Sequence, residues 1–179
     1  RMSTDPTTGT VWMHDGASRA TWSWNGLDWT ASPVLNQTAR FDFGFGHDGS
    51  GPLVAGGTMQ FDNAPTGDTW QLQNGTWIHH TAGGPRVTNF GLCSYDEARA
   101  RVVLLDSTST QQMRTWEWAG DHWVGPSTSQ PQLVGMAMCY DLYRGRTLAF
   151  GGLASAFPLT TVASLQSWDG TSWTTINTP

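Results

Sequence analysis

The sequence has no lysine. All nine basic residues are arginine, so it holds no polybasic run of the kind that grips nucleic acid or anionic lipid, and the formal net charge of -5 argues the same way. Charged residues make up 13% of the chain, about half the usual share. With little Glu and no Lys, the polar surface falls to Ser, Thr, Asn and Gln, a composition that favours an extracellular or periplasmic setting. The two cysteines, Cys93 and Cys139, belong to no CxxC pair and no His-containing zinc spacing, so they are expected to be two buried thiols. Apolar runs such as Val102–Leu105 fall far below the roughly 18 residues of a membrane span. The opening Arg1-Met2-Ser3 lacks a charged-then-apolar leader, as expected of a mature, partial or trimmed chain. No stretch shows helical periodicity.

Glycine (21 residues) and tryptophan (11) are both far above average use, which implies many tight turns and many large buried rings. The tryptophans repeat. Trp29, Trp77, Trp123 and Trp173 are spaced 48, 46 and 50 residues apart, and each closes a segment of one form, as in Trp24-Asn25-Gly26-Leu27-Asp28-Trp29 and Trp168-Asp169-Gly170-Thr171-Ser172-Trp173. Five residues before each closing Trp stands Trp24, Leu72, Trp118 or Trp168. Two residues earlier stands Trp22, Trp70, Trp116 or Gln166. Those two positions share a strand face, and the Gly or Asn after them supplies the positive φ of a tight hairpin. Upstream, Tyr95 to Leu105 aligns without gaps on Tyr140 to Phe150, giving an inner strand, a polar turn and an apolar second strand.

Each repeat therefore reads as a four-stranded antiparallel meander, about 5–31, 39–81, 86–125 and 132–176. Such a sheet has two apolar faces and can bury both only by stacking radially on its neighbours, which is the propeller solution. The fold expected is an all-β, four-bladed β-propeller in one domain. Its first blade lacks its inner strand, and the tryptophans fill the wedges between blades. Four repeats are few for a closed ring, so the ring either closes irregularly, belongs to a larger ring, or is completed by a second copy.

Tyr-Asp-x-x-Arg at 95–99 and 140–144, Gly56-Gly57 and Gly151-Gly152 after second strands, and the Trp hairpins make the chain similar to bacterial kelch-type repeats related to the central propeller of galactose oxidase. Kelch-like propellers host oxidases, sugar binders and protein-interaction modules, so the resemblance implies the fold more firmly than an activity. The oxidase relationship would imply a copper site of two Tyr, two His and a Cys near the axis. Tyr95 and Tyr140, however, occupy one repeat position, and His14, His47, His79, His80 and His122 fall on different strand types. No metal, cofactor or catalytic residue is therefore assigned. The i, i+3 pairs Asp96/Arg99 and Asp141/Arg144 read as structural, each either a solvent-exposed ion pair or an Asp capping its own turn.

In a meander, the loops after second and fourth strands share one rim, and here they hold the length variation. That rim is the expected binding surface, with Met59, Phe61, Asp62, Asn63, Leu153 and Phe157 as its candidate residues. The leading expectation is a non-catalytic recognition or scaffold module for a protein or glycan. The alternatives are the propeller portion of a carbohydrate- or alcohol-active enzyme and a self-assembling propeller half that pairs as a homodimer.

Overall fold

The computed structural model describes residues 1–80, 83–107, 113–127, 135–156 and 159–177. Every regular element among them is a strand, and no helix is long and apolar enough to cross a membrane. The first blade holds β1 (Met2–Thr4), β2 (Val11–Asp15), β3 (Ala20–Trp24) and β4 (Trp29–Ala31). In the second, the short β5 (Arg40–Phe41) precedes β6 (Gly44–His47) and β7 (Pro52–Ala55). The short β8 (Thr58–Met59) then leads to β9 (Thr69–Gln73) and β10 (Thr76–His80). The third is β11 (Asn89–Asp96), β12 (Arg101–Ser107), β13 (Met113–Trp118) and β14 (Trp123–Ser127). The fourth is β15 (Ala137–Asp141) and β16 (Arg146–Phe150), an inserted hairpin β17 (Leu153–Ala156) and β18 (Leu159–Thr161), then β19 (Leu165–Trp168) and β20 (Trp173–Ile176).

All four main sheets are four-stranded antiparallel meanders, arranged as a four-bladed β-propeller. One expectation is corrected here: the first blade has its inner strand. Met2, Ser3 and Thr4 pair with Met13, Trp12 and Val11. At three residues, without the Tyr-Asp ending of β11 and β15, this strand carries no pattern that marks it in sequence.

The Trp hairpins recur in register. Trp24 faces Trp29, Trp118 faces Trp123 and Trp168 faces Trp173, with ring centroids 5.4 to 5.5 Å apart; in the second blade Leu72 faces Trp77. Side-chain alternation then sends one face of each blade toward the blade before it and the other toward the blade after. Three apolar cores result. Leu35, Phe43, Phe45 and Val54 fill the first junction, with Trp12 and Trp77 against them. Leu53, Ala55, Val102, Leu104, Trp118 and Trp123 fill the second. Val103, Leu105, Met113, Ala149, Trp168 and Trp173 fill the third. Fully burying one indole contributes up to about 4 to 6 kcal/mol.

The third and fourth blades also latch onto the blade before them through indole N–H groups. Trp123 Nε1 donates to Thr69 Oγ1 and Trp173 Nε1 to Thr115 Oγ1, both at 2.8 Å. Trp118 Nε1 donates to Asp48 (3.1 Å) and Trp168 Nε1 to Glu117 (2.7 Å). Glu117 is held in turn by Arg99, whose guanidinium also binds Asp96. Asp96 is 1% exposed and accepts from Arg99 N at 3.1 Å, so it caps its own turn and the pair is not a solvent-exposed ion pair. Asp141/Arg144 does fit that description, with the Arg144 side chain 72% exposed.

Among the described residues, no apolar core joins the fourth blade to the first. The expectation that all the tryptophans fill wedges therefore fails at Trp29, which is 43% exposed, whereas Trp123 and Trp173 are 9% exposed. Trp22, Trp24, Trp70, Trp77 and Trp116 are half-buried.

Candidate functional site

The loops after the second and fourth strands share one rim, and on it the first two blades form a continuous cleft. Its outer wall starts at Gly56-Gly57. Both residues have positive φ (58° and 108°), and a Cβ would stand 2.4 Å from the Pro85 carbonyl oxygen at Gly56 and 2.8 Å from that of Phe41 at Gly57. Only glycine lets the chain leave the sheet here. Hydrogen bonds from Gly56 N to Asp68 O and from Thr66 N to Gly57 O close the neck of the excursion. Within it, Met59 N donates to Ala64 O, Asn63 N to Met59 O, and Ala64 N to Asp62 Oδ1. Asn63 takes a left-handed φ of 53°. The tip is thus tightly turned, and it holds Phe61 out with 85% of its surface exposed.

The base of this wall is Arg40, 2% exposed. Its guanidinium donates to Gly56 O (2.6 Å), to both Asp68 oxygens (2.8 and 3.0 Å) and to Gln37 Oε1. Asp68 also accepts from Thr66 and from Trp70 Nε1. Burial alone would raise the Asp68 carboxyl, but the Arg40 charge and these hydrogen bonds bring it below its ordinary value. A buried ion pair thereby ties the excursion to the 32–39 linker.

Between that linker and the tip lies a cavity of about 570 Å³ whose polar and aromatic lining comes from Arg19, Asn36, Gln37, Thr38, Gln60 and Phe61. Arg19 Nη1 donates to Gln37 O at 3.1 Å, which holds its guanidinium at the edge. A second cavity of about 590 Å³ shares Ala17 with the first and runs inward past Arg40 and Phe41 to His14. His14 is 1% exposed, with Nδ1 2.7 Å from Thr21 Oγ1. Burial, then the nearby N-terminal ammonium and Arg40, push its pKa down to about 4.

The candidate residues separate. Met59, Phe61, Asp62 and Asn63 lie in the one excursion, with Phe61 on the cleft and Asp62 engaged in its own turn. Leu153 sits in the corresponding excursion of the fourth blade, paired with Thr161 and away from the cleft. Phe157 lies outside the described residues. Arg19, Asn36, Gln37 and Gln60 were not anticipated; the sequence signals near them were the loop lengths of 31–39, which holds Asn36 and Gln37, and of 58–67, which holds Gln60, whereas nothing marked Arg19.

At the opposite end of the axis, the inner strands of blades one, three and four enclose about 330 Å³. This pocket gathers Cys93, Tyr95, Cys139 and Tyr140 beside Ser3 and Glu97. Burial pushes the Cys93 thiol up to about 12, and burial followed by nearby carboxylates raises the Tyr95 phenol, so both stay protonated near neutrality. Tyr140 accepts a hydrogen bond from Ala98 N. Cys139 is exposed, which corrects the expectation of two buried thiols. His79 stacks on Trp70 and His80 meets Trp118 edge-on. Among the described residues, no three His, Cys, Asp or Glu side chains are grouped as a metal site requires.

No family model and no curated protein matches the sequence. Among 115 solved chains that match in fold, one titled "Structure of YjhT", itself a propeller, aligns with a TM-score of 0.73 and 11% identity. The alignment covers 98% of this chain and 64% of that one, so this chain spans under two thirds of its length. At that identity the likeness shows the β-propeller fold, and the kelch resemblance stays with the sequence motifs.

Proposed function

We propose that this propeller is a non-catalytic recognition module that binds a glycan on its long-loop rim, in the cleft between the first two blades. The observation that carries this reading is Phe61, an almost fully exposed ring on a rigid tip, beside a cavity walled by a guanidinium and side-chain amides. An exposed ring offers an apolar platform to the C–H face of a sugar. Arg, Asn and Gln present paired donors and acceptors that suit neighbouring hydroxyls, and none of them has to change protonation to bind. Glycan-array screening of the whole chain, followed by calorimetry, tests this. The Phe61→Ala variant is expected to bind at least about tenfold more weakly with its melting temperature unchanged, because the ring supports little packing. Equal affinity for the variant, or binding of peptides and no glycan, would overturn the reading.

One observation favours a second reading, a propeller half that assembles with another copy. The Trp24/Trp29 pair of the first blade is built like the pairs that blades three and four bury, yet it is uncovered.

A further inference from the structure

We infer that the glycan taken by the rim cleft is acidic, a sugar of the hexuronate kind whose carboxylate binds Arg19. This rests on the glycan reading and adds the ligand's charge to it. Four of the nine arginines, Arg40, Arg99, Arg114 and Arg144, are matched to Asp or Glu side chains at 2.8 Å or less. Arg19 is not. Among the described residues its guanidinium has one partner, the Gln37 carbonyl oxygen, which occupies one of its five N–H groups. Its backbone is tied to the same linker, because Leu35 N donates to Arg19 O at 3.1 Å. The residue takes a left-handed φ of 63°, where glycine would be free of strain, so a long cationic side chain is kept at a position that disfavours any side chain.

The lining of the cavity that Arg19 shares with Phe61 contains no carboxylate. The acids nearest to it in sequence are turned into their own loops: Asp15 accepts from Ala17 N and Ser18, and Asp62 from Ala64 N. In a chain of net charge -5, this cleft therefore offers one positive charge that nothing offsets. Gln37 adds a donor. Its Oε1 accepts from Arg40, which turns its NH2 the other way, and that buried Nε2 has no partner among the described residues. The bond from Arg40 polarises the amide and makes the NH2 a better donor to an anion. A buried N–H without an acceptor calls for an oxygen from outside the fold. The hydroxyls of a neutral sugar would leave the guanidinium charge unmatched, whereas a planar carboxylate fits its parallel N–H groups. The C–H face of the same sugar suits Phe61 on the same cavity.

An array carrying oligogalacturonate, oligoglucuronate, sulfated and neutral oligosaccharides selects the probe. The best hexuronate and its carboxyl-reduced, neutral form are then compared by calorimetry on the unmodified chain. The reduced form is expected to bind at least about tenfold more weakly, and the acidic form to weaken as salt rises from about 50 to 500 mM. Arg19→Gln is expected to lose about tenfold for the acidic form and nothing for the neutral one, so that the two become alike. Arg19→Lys keeps the charge without the fork and should recover part of that loss. An unchanged melting temperature reports that each variant folds, and the comparison on the unmodified chain needs no variant. Equal affinity for the two forms, or binding of neutral or sulfated glycans alone, overturns the carboxylate and leaves the glycan reading standing. An acidic sugar held by Arg19→Gln as tightly as by the parent overturns the role of Arg19, and binding of no glycan at all overturns both readings.

Discussion

At the junctions of blades two with three and three with four, an indole of the later blade donates to a threonine hydroxyl of the earlier one. At the first junction the equivalent threonine, Thr21, is taken by His14, and Trp77 Nε1 donates instead to the Pro33 carbonyl of the linker. The exchange traces to one position. Cross-strand from the threonine, blades two and three place Ala55 and Leu105, whereas the first blade places His14. The imidazole packs against Phe43, Phe45 and Trp77, at centroid distances of 5.3 to 6.0 Å. One architecture thus carries two kinds of seam. Two are apolar and latched by hydroxyls; one is titratable and latched by a loop, and it lies beneath the rim cleft.

The apolar seams are expected to be the costliest to break. Trp118→Ala removes a ring that is 1% exposed and its bond to Asp48, and should cost about 4 kcal/mol in chemical denaturation. At the first seam the corresponding weak point is polar. Arg40→Met leaves Asp68 without its cation and should cost about 3 kcal/mol. It should also weaken any ligand at the rim cleft, because Arg40 anchors both cleft walls through Gln37 and Gly56. Trp118→Ala should leave the cleft's affinity unchanged at temperatures where the variant is folded.

His14 separates the seams by pH. Its folded pKa of about 4 lies below the ordinary 6.5, so below about pH 6.5 the unfolded chain takes up a proton that the folded chain resists. The stabilising effect of the neutral, buried imidazole is complete above that pH. It is lost progressively as pH falls toward 4, by up to about 3 kcal/mol. His14→Leu gives the first seam the residue that the third uses, and the difference in stability between variant and parent should grow across this window. A constant difference from pH 7 to pH 4 would mean that His14 does not titrate in the seam.

The blade repeat was legible because it is local. A Trp pair, a glycine turn and an apolar second strand each fall within a few residues, and their spacing survives substitutions such as Leu72 for Trp. What was not legible depends on neighbours distant in sequence. Trp29 and Trp123 occupy equivalent positions, and only the presence of a preceding blade buries one and exposes the other. Asp96 and Asp141 share the motif Tyr-Asp-x-x-Arg, yet only Asp96 sits under a bridge from Arg99 to Glu117, with Trp168 beyond. The cleft is assembled from 17–19, 36–39 and 60–61, three segments with no common period, so Phe61 could be singled out as an apolar residue in a loop while Arg19 and Gln60 could not.

The smallest expected effect isolates the latch itself. Thr69→Val keeps the size and β-branching of a residue that is 0% exposed but removes the hydroxyl that accepts from Trp123 Nε1. The indole N–H is then left in an apolar junction, with a cost of about 1 to 2 kcal/mol. Thr21→Val makes the same change in the first blade, where Trp77 keeps its bond to Pro33 O and His14 loses its partner instead. Removing the Thr21 hydroxyl should therefore shift the pH profile governed by His14 and leave the Trp77 environment, read by fluorescence, as it was. Removing the Thr69 hydroxyl should shift tryptophan fluorescence and leave the pH profile alone. Identical responses from the two variants would show that the seams differ in geometry only and not in how they are held.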